Sequence, residues 1–185
     1  MKKTTLCLLL AVMFGTMGPG CIGTAISEGA GVLLGPKGVY AEIQPVGATK
    51  DARPLGEYTR FELGEISDQM GGKVPRDLWT YLPGEFRREL NGNKLPDERG
   101  GKTLLVRGAV LHYEDASLLG FVAGPLEEVV TRIELVDKGS NKVLGTANCI
   151  GRTTERVNAG VKEKAQGLAK AIVSWIDARY PKERR

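Results

Sequence analysis

Cys149 and His112 are the residues of this chain whose types could do nucleophilic chemistry, since an imidazole within hydrogen-bond reach turns a thiol into a thiolate. His112 is the single histidine, and the other two cysteines, Cys7 and Cys21, stand near the beginning of the sequence. Both Cys149 and His112 fall in segments patterned as strands. By alternation Cys149 shares a face with Val143 and Ala147, the setting of a small buried hydrophobe. His112 lies between Leu111 and Tyr113, with no third group identifiable to orient it. No catalytic residue is expected from this pair, and the chain reads as a non-enzyme.

The second constellation is acidic. Glu114 and Asp115 precede a connection with an apolar tip, and Glu127 and Glu128 follow it. Such carboxylates could bind a cation or act as paired acids. Adjacent residues on a strand face opposite ways, so Glu127 and Glu128 would not converge on one ion. The expectation is that they keep a strand-flanking connection soluble. One histidine excludes a multi-histidine metal site, and a lone cysteine in the folded part excludes a disulfide framework. The segment GPLEE lacks a following helix, and GKVPRD lacks the Lys-Ser/Thr of a phosphate loop. Ser117, Ser140 and Ser174 have no nucleophile-elbow context. Neither metal nor cofactor is expected. What stands out in the connection is its tip, Leu118, Leu119, Phe121 and Val122, because connections normally run polar. Either these side chains fold back over the core or they form a contact surface for a partner or lipid.

Cys21 carries a different chemistry, covalent lipid attachment. Lys2 and Lys3 give a positive start, and Leu6 to Phe14 (LCLLLAVMF) is a nine-residue apolar run. That is far short of the roughly 20 residues needed to span a bilayer, so the segment reads as a removable export signal. Cleavage before Cys21 would make its thiol a lipid attachment point. The tripeptide Gly18-Pro19-Gly20 departs from the usual apolar-then-small pattern, and the alternative is an ordinary secretory signal cut elsewhere. Ile22, rather than Asp, implies the outer membrane by resemblance to enterobacterial sorting rules.

Composition bounds the rest. Of 185 residues, about 164 remain after such a signal, enough for one domain with a real core. Hydrophobic residues make up 42% and charged residues 26%, an ordinary globular balance. Without Lys2 and Lys3, 24 basic residues face 22 acidic ones, and they mostly alternate, so no nucleic-acid partner is expected.

The elements that must position these residues follow from periodicity. Residues 22 to about 57 are rich in Gly, Ala and Pro and read as a tether with one short apolar strand, Val39 to Pro45. Tyr58 to Ile66 has strand composition. Pro75 to about Leu90 is helical, with Leu78, Leu82, Phe86 and Leu90 on one stripe and a break or restart at Pro83. Lys102–Tyr113 is a strand. Glu128–Val136 and Val143–Arg152 form a hairpin across Asp137-Lys138-Gly139-Ser140-Asn141. From Asn158 a helix places Val161, Ala165, Leu168, Ile172, Trp175 and Ile176 in one sector, and Pro181 stops it.

From about Lys37 to Lys182 the chain resembles a family of uncharacterised bacterial envelope lipoproteins with a domain of unknown function. The resemblance rests on GPKGVY, KTLLVRGAVLHYED, LVDKGSNKVLGTANCIGRT and GLAKAIVSWIDARYP. It implies a lipid-anchored envelope protein and brings no active-site residues. The combined expectation is an α+β fold. A mainly antiparallel sheet of about four strands packs against a C-terminal amphipathic helix and a shorter Pro-interrupted helical segment. Residues 1–20 are the signal, 21–57 the anchor cysteine and tether, 58–182 the domain and 183–185 a basic tail. The expected function is an envelope accessory protein on the periplasmic face of the outer membrane. It would be tethered to the membrane through lipid on Cys21 and bind another envelope protein or a polymer. The alternative is a secreted or periplasmic module for a small or lipidic ligand.

Overall fold

The computed structural model describes residues 36–49, 52–98, 100–114, 127–153 and 160–182. All of them belong to one compact unit, Pro36–Arg185. Its elements are β1 (Lys37–Gln44), a single 3-10 turn (Pro54–Glu57), β2 (Tyr58–Asp68), α1 (Arg76–Gly92), β3 (Lys102–Tyr113), β4 (Glu127–Asp137), β5 (Lys142–Thr153) and α2 (Val161–Ala178).

The sheet runs β1-β5-β4-β3-β2. It has five strands rather than four, and the extra one is β1, from the stretch read as tether. The folded unit therefore begins at Pro36 and not near Tyr58. The reason lies in contacts far apart in sequence. The carboxylate of Glu42 accepts from Trp175 Nε1 at 2.7 Å and from Arg179 Nε at 2.9 Å, and it is also paired with Arg179 Nη2. Composition cannot display a bond across more than 130 residues.

Every pairing is antiparallel except β2 with β3. Parallel neighbours need a crossover, and α1 supplies it. Core-facing positions alternate along the strands as period two requires: Leu104, Val106 and Val110 on β3, Val129, Thr131, Ile133 and Leu135 on β4, Ala147 and Cys149 on β5. All but Thr131 join one hydrophobic cluster with Leu78, Leu82 and Phe86 of α1 and Leu168, Ile172, Trp175 and Ile176 of α2. Both helices thus cover one face of the sheet.

Helix α1 runs unbroken through Pro83, against the expected interruption. Proline inside a helix removes one backbone bond and costs about 3 kcal/mol. Here its ring is on the exposed side, while Leu82 and Phe86 bury the turns around it. Burying two such side chains contributes about 3–6 kcal/mol, which offsets the loss.

Helix α2 approaches the sheet at backbone distance. A Cβ added to Gly151 would collide with Leu168 N and Lys164 O, and one added to Gly38 with Gly167 O and Ala171 N. Gly167 in turn abuts Lys37 O. Glycine on both sides is what lets the helix lie against β1 and β5. In the hairpin turn, Ser140 donates its N–H and hydroxyl to Asp137 Oδ1 at 2.7 and 2.8 Å, and Asn141 takes the left-handed conformation at φ 56°.

Candidate functional site

The thiol–imidazole pair does not form. Cys149 pairs across the ladder with Thr131, on the helix-covered face, whereas His112 pairs with Val130, on the opposite face, with all of β4 between them. Burial pushes the Cys149 thiol up, away from the thiolate. One detail of the expected alternation changes. A bulge between Leu135 and Val136 puts Val143 opposite Val136, so it leaves the face of Cys149 and Ala147.

Glu127 and Glu128 diverge, each to its own cation. Glu128 takes Arg152 Nε at 3.1 Å on the open face, while Glu127 turns inward to Lys164 Nζ at 3.1 Å. Among the described residues no group of three or more His, Cys, Asp or Glu could hold a metal ion.

Lys164 is the residue that the sequence hid. Its side chain is fully buried. Its Nζ donates to Glu114 O at 2.5 Å, meets the Glu127 carboxylate, and lies 4.3 Å from the centroid of the Tyr113 ring. A buried ammonium is tolerable only with such partners. The signal was legible in retrospect, because Lys164 sits between Val161 and Leu168 at helical spacing, inside the apolar stripe. Glu114 and Glu127 are the two feet of the acidic, apolar-tipped connection, so one ammonium fastens both to α2. The tip residues Leu118, Leu119, Phe121 and Val122, like Asp115, lie outside the described residues, as does Cys21.

Register shows what else shares this end of the sheet. Lys37 of β1 pairs with Arg152 of β5, Arg152 with Glu128 of β4, and Val129 with Tyr113 of β3. The start of β1, where the chain arrives from its N-terminal segment, therefore lies at the same end as the two feet.

Among the described residues the other face of the sheet carries no helix. Row by row it presents Val39, Ile150, Val130 and His112, with Leu111 of a bulge beside His112; then Ala41, Asn148, Arg132 and Ala109; then Thr146, Glu134 and Arg107; then Val143, Val136 and Leu105. Three of the four exposed large hydrophobics among the described residues, Val39, Ile43 and Leu111, lie on this face. Most of its charges pair in place. Arg107 Nε reaches Glu134 at 2.9 Å, and Glu62 takes both Arg60 at 3.1 Å and Lys138 at 2.5 Å. Arg132 differs, because among the described residues its guanidinium donates only to Asn148 Oδ1, at 3.4 Å. A shallow open groove of about 560 Å³ runs over β3, with Leu105, Ala109 and Leu111 as its floor and Arg107, Arg132, Glu65 and Glu134 around it.

Among the described residues no helix is long and apolar enough to cross a membrane. No family model matches the chain, and no curated protein matches it. Among solved structures it is similar to the PelC dodecamer from Paraburkholderia phytofirmans. One PelC structure, of a point variant, gives a TM-score of 0.51 at 14% identity, over 77% of this chain and 98% of that one. A second gives 0.50 at 12% identity, over 77% and 99%. A minor lipoprotein from Acinetobacter baumannii aligns at 21% identity over 65% of this chain and 94% of that one, with a TM-score of 0.37. At such identities the PelC likeness is one of fold, and the chain shares that α+β architecture.

Proposed function

We propose that this chain is a non-enzymatic accessory protein of the bacterial envelope. It is held by lipid on Cys21 at the periplasmic face of the outer membrane and binds another envelope protein or a polymer. The observation that carries the reading is the shared end of the sheet. The start of β1, which continues back to Cys21, and the feet of the apolar-tipped connection at Glu114 and Glu127 stand together there. Lys164 fixes both feet to α2, at a desolvation cost that a merely solvated connection does not require. Leu118, Leu119, Phe121 and Val122 are thus offered as the contact residues, on a fixed base beside the anchored end. The uncovered, partly apolar sheet face adds a second contact surface of the kind that marks interaction sites.

A small-ligand module is the second reading, and the groove over β3 favours it. Ligand pockets are mostly enclosed and apolar. This groove is open and ringed by charges, so the accessory reading is preferred.

The test is intact mass and membrane fractionation of the protein expressed from its own signal, beside Cys21→Ser, with a photo-crosslinking side chain at position 121 or 142. A lipid mass gain, release of the Cys21→Ser variant, and a discrete envelope adduct from position 121 alone are expected. An unlipidated, freely soluble wild type would overturn the anchor. Equal adducts from both positions would overturn the contact residues.

A further inference from the structure

We infer that the uncovered face of the sheet is a homotypic interface, which a second copy of this chain covers sheet on sheet about a two-fold axis crossing the strands at the level of Ile133. The pairing register carries this. At that level β4 presents Ile133, β3 presents Gly108 and β5 presents Ala147. An axis there reverses the strands of the partner copy, so each row lies over the row equally far beyond the axis.

The face is self-complementary under that operation. Arg132 lies over Glu134 of the other copy, and Asn148 over Thr146. The mostly apolar row Ile150, Val130 and His112, with Leu111 of the bulge beside it, lies over Val143, Val136 and Leu105. On β1, Glu42 is level with Ala147, which sets Ala41 over Ile43. Farther out, Glu128 lies over Lys138. Val136 is already covered by its own neighbours, so Leu105, Val143 and the charges carry that side of the match. Arg132, which has no carboxylate partner among the described residues, gains one. An axis along the strands would instead stack Arg132 on Arg132 and Glu134 on Glu134.

Size and charge agree. Five strands of 8 to 12 residues make a face of between about 800 and 900 Å². One partner in a standard interface contributes about 800 Å². Aligned sheets pack about 10 Å apart at about −30°, which keeps the match best on β3, β4 and β5 and loosens it at the corners. The charges are balanced and mostly paired in place, so the face repels neither a second copy nor itself, and it does not attract a polymer of one sign.

This inference does not depend on lipid. It is compatible with two anchors, because the 15 residues from Cys21 to Pro36 span at most about 50 Å. The 11 residues of β4 span only about 36 Å. Anchors leaving from opposite ends of the pair can therefore reach one bilayer.

The test is the protein mass of the full chain in mild detergent, by light scattering with the detergent contribution subtracted. Wild type is expected at twice the chain mass. Arg132→Glu and Glu134→Arg should each weaken association at least about tenfold, while the double exchange restores it. Leu111→Lys should weaken it similarly, and Tyr81→Lys, an equally exposed site on α1, should leave it unchanged. A single-chain mass for wild type would overturn the inference. So would an assembly indifferent to both reversals, or a double exchange no better than the single changes.

Discussion

The two faces of the sheet are built by opposite rules. On the covered face α2 touches backbone to backbone through Gly38, Gly151 and Gly167, and the polar groups buried there, Lys164 with Glu127 and Arg179 with Glu42, are paired. On the open face apolar rows alternate with rows of ion pairs that remain 25% to 51% exposed. Dense packing penalises any added or missing atom, whereas a half-wet mosaic penalises little. The difference teaches where the molecule tolerates change and where it is free to make contacts.

The largest effect that separates the faces should come from Gly151→Val. Overpacking typically costs 1–3 kcal/mol, and here the obstacle is backbone that cannot swing away, so a loss of at least about 3 kcal/mol is expected. Thermal melting followed by circular dichroism should fall by roughly 10 °C or more, or show no folded baseline. A comparable enlargement on the open face, Ala41→Val, should move the midpoint little.

Next comes Lys164→Met, which leaves the Glu127 carboxylate buried without its ammonium. Breaking such a pair costs about 3–5 kcal/mol, read from urea midpoints at constant slope. Lys164→Met with Glu127→Gln should recover most of it. A single variant as stable as wild type would mean that the clamp at the two feet does not hold.

Smaller, and dependent on pH, is the Glu42 cluster. Burial alone would raise the Glu42 carboxyl, but hydrogen bonds from Arg179 and Trp175 outweigh it and hold the group below the usual range. Asp137 is held down to about 2, by Ser140 first and Tyr58 after it. A carboxyl depressed in the folded state contributes stability above its unfolded value, and this is lost as pH falls through the folded one. Stability should therefore decline from about pH 4.5 toward pH 2. Glu42→Gln should be less stable at neutral pH and show a shallower decline; an unchanged slope would remove Glu42 from the acid response. The smallest effect is expected on the open face. Arg107→Ala, which breaks an exposed pair, should shift stability by no more than about 1 kcal/mol.

Much of this fold is legible in the sequence, and the reasons are local. Strands β4 and β5 alternate at period two, β3 is apolar on both faces, and α2 repeats at helical period, so each element is recognisable without its neighbours. Strand β1 is legible as a short strand from Val39, but its place in the sheet is not, because its glycine is there for α2 to approach and Gly-rich composition reads equally well as tether. Helix α1 defeats the rule at Pro83 because tertiary burial of Leu82 and Phe86 outweighs local propensity. Cys149 and His112 could be discounted from patterning, yet only register reveals that β4 stands between them. Lys164 lies on the apolar stripe, but a charged residue is normally solvated, so spacing alone does not announce its burial. The open face needed the ladder register before its rows could be read at all.

The contrast between faces is tested most directly by hydroxyl-radical footprinting of the protein in intact envelopes. Val39, Ile43 and Leu111 on the open face are compared with Tyr81 on α1, all similarly exposed in the single chain. If the open face is the working surface, the three aliphatic residues should be protected in the wild type and labelled in the Arg132→Glu variant, with Tyr81 labelled in both. Labelling of Val39, Ile43 and Leu111 in the wild type to the same extent as in Arg132→Glu would contradict it.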